Sequence, residues 1–66
     1  MITFTAKNWL AIFNFLRDSG NADLAGRISH DLGHVWNSED WDTTVALDFS
    51  EDHLKAVKHA AKEIGV

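Results

Sequence analysis

His30 and His34 stand one helical turn apart, the spacing at which two imidazoles can share a metal ion. A closed coordination shell would also need His53, His59 or an acidic side chain. On a helical wheel both histidines fall on the polar side of their helix beside Asp23 and Arg27, where solvation alone accounts for them. No metal and no other cofactor is expected. Ser29 next to His30 is adjacency in sequence, not the contact between nucleophile and base that covalent catalysis needs. The ten carboxylates could act as general acids or bases only inside a pocket that perturbs them. A chain of 66 residues spends most of its apolar side chains on one small core, so no enzymatic activity is expected.

The carboxylates are informative in another way, through their placement. In residues 1–36, Lys7, Arg17 and Arg27 balance Asp18, Asp23 and Asp31. Residues 37–52 hold Glu39, Asp40, Asp42, Asp48, Glu51 and Asp52 without one lysine or arginine. Lys55, Lys58 and Lys62 then oppose Glu63, leaving the net charge at -4. A field concentrated in one stretch repels nucleic acid and attracts a basic protein surface. The lysines of the last segment have Glu51 and Glu63 for company and read as a solvated helix face, so direct nucleic-acid binding is not expected.

Trp36 and Trp41 bracket the first part of the acidic stretch. Tryptophan is a preferred interface anchor, and carboxylates around it can steer it to an arginine-rich partner. Alternatively, Trp36 closes the core while the acids keep a loop solvated and cap helix ends. The partner-binding candidates are accordingly Glu39, Asp40, Trp41, Asp42, Asp48, Glu51 and Asp52.

Three helices must position these residues. Thr5 caps a helix from about Ala6 to Asp18, with Phe4 and Trp9 in the two positions of a hydrophobic staple. Gly20 supplies a left-handed stop, and Asn21 can cap a second helix from about Ala22 to Trp36, so that the two helices form an antiparallel hairpin. Leu24, Ala25, Ile28, Leu32, Val35 and Trp36 make the buried stripe of the second helix, with Gly26 and Gly33 on the far side. Phe49-Ser50 repeats the opening of the first helix ahead of a third, in which Leu54, Val57, Ala61 and Ile64 face inward and Gly65 ends the run.

The extended pieces Ile2-Thr3-Phe4 and Val45 to Phe49 can pair as a two-stranded sheet, which makes the fold mainly α or a small α+β. The competing reading is a short helix begun by Ser38 and carrying Trp41 and Val45. In the first helix Trp9, Leu10, Ile12, Phe13, Phe15 and Leu16 cover roughly 220° of the circumference. Such a helix is either wrapped by the rest of the chain or leaves Leu10 or Phe15 at the edges of the arc as a contact patch.

One domain is expected. The absence of cysteine excludes disulfides and thiolate zinc sites and fits a reducing cytoplasm. The apolar run Trp9 to Phe13 is too short to span a bilayer, and no signal-peptide cleavage site follows it. In size, lack of cysteine and the clustered Glu39, Asp40, Asp42, Asp48, Glu51 and Asp52, the chain resembles the small acidic inhibitors that phages direct against bacterial immunity, particularly anti-CRISPR proteins. That resemblance implies an inhibitor acting in the host cytoplasm, whose carboxylates occupy a basic groove of a CRISPR effector complex that normally receives phosphates. The alternative is a homodimeric structural or regulatory module, so the expected state is a monomer or a homodimer.

Overall fold

Thr5 is the point at which extended chain becomes helix. Its backbone is in the β region, and its side chain accepts a hydrogen bond from the Asn8 amide, at 3.2 Å. The computed structural model describes all 66 residues, in the order β1 (Ile2–Thr5), α1 (Ala6–Asp18), α2 (Ala22–Asn37), β2 (Thr44–Leu47) and α3 (Glu51–Ile64). Ser50 opens α3 as Thr5 opens α1, its side chain accepting from the His53 amide.

β1 and β2 form an antiparallel pair in the register Ile2 to Leu47, Thr3 to Ala46, Phe4 to Val45 and Thr5 to Thr44. The period of two turns Ile2, Phe4, Val45 and Leu47 toward the core and leaves Thr3, Thr44 and Ala46 exposed. Of the two readings of residues 38–49, pairing therefore holds. The ladder stops at Leu47, so Asp48 and Phe49 lie beyond it. The Asp48 carbonyl accepts from Arg27, and Phe49 packs on Trp9 with ring centroids 6.0 Å apart. The short helix at Ser38 does not form because Ser38 finishes α2: its amide and its hydroxyl both donate to the His34 carbonyl.

α1 is the hub, packing extensively on α2, α3 and β1. Ala6, Trp9, Ile12 and Leu16 are buried along it, and Leu24, Ala25, Ile28 and Leu32 meet them from α2. Val57, Ala60 and Ala61 meet them from α3. Val35, Trp36, Leu54 and Ile64, also expected to face inward, are only half-buried. The wide apolar arc of α1 is largely wrapped, with Phe13 against Trp36 at 5.5 Å and Phe15 against His59 at 6.2 Å. The staple is present as an edge-on contact of Phe4 with Trp9 at 5.2 Å. Asn21, expected as a side-chain cap, makes no such bond. Its amide is still held by the Leu16 carbonyl at the end of α1, and its φ of -100° and ψ of 55° lie outside the extended region that aims a capping side chain.

All three helices end in the same way. In α1 the Gly20 amide donates to the Arg17 carbonyl and the Asn21 amide to the Leu16 carbonyl; in α3 Gly65 and Val66 bond likewise to Lys62 and Ala61. In α2 the same pair of bonds runs from Glu39 to Trp36 and from Asp40 to Val35. These are the paired bonds of the Schellman motif, which needs a residue of positive φ at its turn. Gly20 and Gly65 have φ of 84° and Glu39 has φ of 58°. The second helix thus uses a glutamate where the other two use glycine.

Candidate protein-binding surface

Leaving α2 through Glu39, the chain crosses the start of α1 and is held there by main-chain bonds. The first amides of a helix have no partner within it. Here the Ala6 amide donates to the Thr43 carbonyl at 2.8 Å and the Lys7 amide to the Trp41 carbonyl at 3.1 Å, while Thr5 takes the Asn8 amide. Two tryptophans lock the arrangement. The Trp36 indole donates to the Ala6 carbonyl at 2.9 Å, and the Trp9 indole to the Val45 carbonyl at 2.8 Å. Residues 40–45 are therefore fixed to α1 by backbone and indole bonds that leave the acidic side chains free.

All seven candidate residues, Glu39, Asp40, Trp41, Asp42, Asp48, Glu51 and Asp52, are exposed. The two tryptophans divide, with Trp36 half-buried against Phe13 and Trp41 exposed to 36%. Trp41, Leu10, Lys7 and Asp42 line a surface depression of about 430 Å³. Leu10, from the edge of the α1 arc, is half-buried there, so this edge contributes to the surface that Trp41 presents.

The fold divides the acidic residues between the two ends of β2. Glu39, Asp40 and Asp42 precede the strand, beside the start of α1, while Asp48, Glu51 and Asp52 follow it at the start of α3. Glu51 and Asp52 sit in the first turn of α3, where the helix dipole favours negative charge. Asp48 pairs with the Met1 amine at 3.1 Å, an exposed contact of small energetic consequence. The other ion pairs, Arg17 with Asp18 and Arg27 with Asp31, lie elsewhere. Glu39, Asp40, Asp42, Glu51 and Asp52 take part in none.

His30 and His34 are both exposed, and no group of three or more His, Asp or Glu side chains is placed to hold a metal ion. No helix is long and apolar enough to cross a membrane. Compared with protein-family models, curated proteins and solved structures, the chain matches none. What the surface can do must be argued from its own residues. Sequence patterning did not reveal the role of residues 40–43 in closing the amide end of α1, because main-chain acceptors leave no mark on residue type. The helix start at Thr5, with its unpaired amides, was the one available signal that something had to cover it.

Proposed function

We propose that the chain is a non-enzymatic inhibitor that docks its acidic surface on a basic, nucleic-acid-binding face of another protein. The observation that supports this reading is the set of five exposed carboxylates without a cationic partner, three of which, Glu39, Asp40 and Asp42, flank an exposed tryptophan in the chain. Ordinary solvation would account for the acids alone; Trp41 beside Leu10 adds an apolar anchor within them. The field steers the encounter, and the Trp41 depression supplies the desolvated contact. An effector complex of a CRISPR system is the partner class that the resemblance of the sequence implies.

The test is capture from a bacterial host lysate by immobilised protein, repeated with added DNA and at raised salt, with Asp40→Lys/Asp42→Lys as the comparison. Salt-sensitive capture that DNA displaces, and that the folded double variant loses, supports the reading. Unchanged capture by that variant removes these carboxylates from the mechanism. Salt-resistant self-association would favour the homodimeric module instead.

A further inference from the structure

A two-stranded sheet has two outer edges, and β2 packs extensively on β1 alone. The bond from the Ala6 amide to the Thr43 carbonyl sets the phase of the ladder. In an antiparallel pair, residues that exchange bonds alternate with residues whose polar groups point outward. Phe4 with Val45 and Ile2 with Leu47 then exchange bonds across the ladder, and the amides and carbonyls of Thr44 and Ala46 point away from β1. Outside the ladder itself, no main-chain or side-chain hydrogen bond reaches Thr44 or Ala46, and both residues are exposed. The strand has no proline, lysine or glutamate to discourage a further strand, in contrast to the usual protection of sheet edges.

The charges at its ends select what can pair there. Asp42 precedes β2 by two residues and Asp48 follows it by one, and both are exposed. A second copy pairing antiparallel through β2 would set Asp42 of each chain near Asp48 of the other, which opposes self-pairing. A cationic extended segment meets an unpaired carboxylate at Asp42, and at Asp48 it competes with the exposed Met1 amine beside the Arg27 guanidinium. Thr44 and Ala46, small and uncharged between them, leave room for its backbone to approach. We propose that β2 is a docking edge for an extended basic segment of a partner protein, which adds as a third strand on the outward amides and carbonyls of Thr44 and Ala46, with a lysine or arginine toward Asp42 and another toward Asp48. This inference rests on the acidic-surface reading and specifies how that surface is used.

The probe is a capped seven-residue peptide with lysine at each end and alternating valine and threonine between, which presents both lysines on one face of a strand. Amide exchange and chemical shifts of the protein are followed by NMR as peptide is added. The expected result is slowed exchange at the Thr44 and Ala46 amides, no binding by the same peptide with glutamate for lysine, and at least a tenfold loss of affinity in Ala46→Pro. Proline there removes an outward amide and no bond to β1. Ala46→Ser, which keeps the amide, should bind as the parent does. If Ala46→Pro fails to fold, the exchange of the parent protein decides alone. Peptide binding without protection of Thr44 and Ala46, or no binding, overturns the strand-addition inference. So does protection that rises with protein concentration in the absence of peptide, because a second copy then occupies the edge. If peptide binding is lost in Asp42→Asn/Asp48→Asn but unchanged in a folded Ala46→Pro, strand addition fails while the acidic-surface reading stands. If neither variant matters, both fail.

Discussion

Replacing Glu39 by glycine should make the protein more stable. Glu39 has φ of 58° at the turn that ends α2, where the equivalent residues of α1 and α3 are Gly20 and Gly65. A side chain in the left-handed region costs roughly 1–2 kcal/mol, because Cβ approaches the following carbonyl oxygen. Glycine removes that cost and returns about 0.4–1 kcal/mol to the unfolded state through its greater freedom. The net gain expected is about 0.5–1 kcal/mol, which for a domain of this size raises the midpoint of thermal unfolding by about 2–8 °C. Far-UV circular dichroism during heating, with urea titration for the free energy, measures it. Glu39→Gln separates charge from strain: it keeps the strain and should melt within about 0.5 kcal/mol of the parent. The mirror substitution, Gly20→Ala, should destabilise. If Glu39→Gly melts at or below the parent while Gly20→Ala is neutral, strain at these turns is not what the backbone angles imply and the reasoning is refuted. If instead Glu39→Gly is more stable but binds its partner less well, the strained glutamate is retained for its carboxylate.

Gly26 and Gly33 face open space in the middle of α2, so Gly26→Ala and Gly33→Ala should each stabilise by about 1 kcal/mol in urea melts. Trp9→Ala should cost about 3–5 kcal/mol and leave the chain largely unfolded at room temperature, because Trp9 is fully buried and its indole also holds the Val45 carbonyl. Leu10→Ser, at a half-buried position beside Trp41, should cost only about 1 kcal/mol while weakening partner binding; a loss of several kcal/mol would make Leu10 a core residue and not part of the contact surface. Thermal melts with zinc and with chelator should nearly coincide, and a zinc-dependent rise abolished by His34→Ala would establish a histidine site.

The features legible in the sequence are those whose causes are local. Thr5 and Ser50 mark helix starts because a short hydroxyl side chain can take an amide two or three residues on, and both do so. The alternation in Ile2 to Thr5 and Thr44 to Leu47 gives two strands because each half-buried strand must turn every second residue inward. Ala60 escaped notice because alanine is at home on either side of a helix; its burial depends on how closely α3 approaches α1. Glu39 gave no sign of its turn. A glycine there would have announced the end of α2, whereas glutamate is an ordinary helix residue, and only the bonds to Trp36 and Val35 reveal its conformation. Trp36, placed by its spacing on the buried stripe of α2, is only half-buried, while Trp41, beyond the helix and named as a contact residue, is exposed.

That placement follows from a division of labour between backbone and side chains. The loop after α2 satisfies the open amides of α1 with its own carbonyls, so its acidic side chains are not taken up in closing that helix end. Trp36 and Trp9, each bonded through its indole to a carbonyl near the sheet, hold α1, the loop and β2 in one arrangement. Acidic residues on a mobile loop would lose conformational freedom on meeting a partner, at about 0.5–1.5 kcal/mol for each long side chain ordered, with further cost for the backbone. Here the backbone part is met during folding, and what remains on binding is the ordering of side chains. The fold can thereby present Trp41 and its neighbouring carboxylates at fixed spacing. The outer edge of β2 is left open in the same way, since the strand pairs with β1 alone.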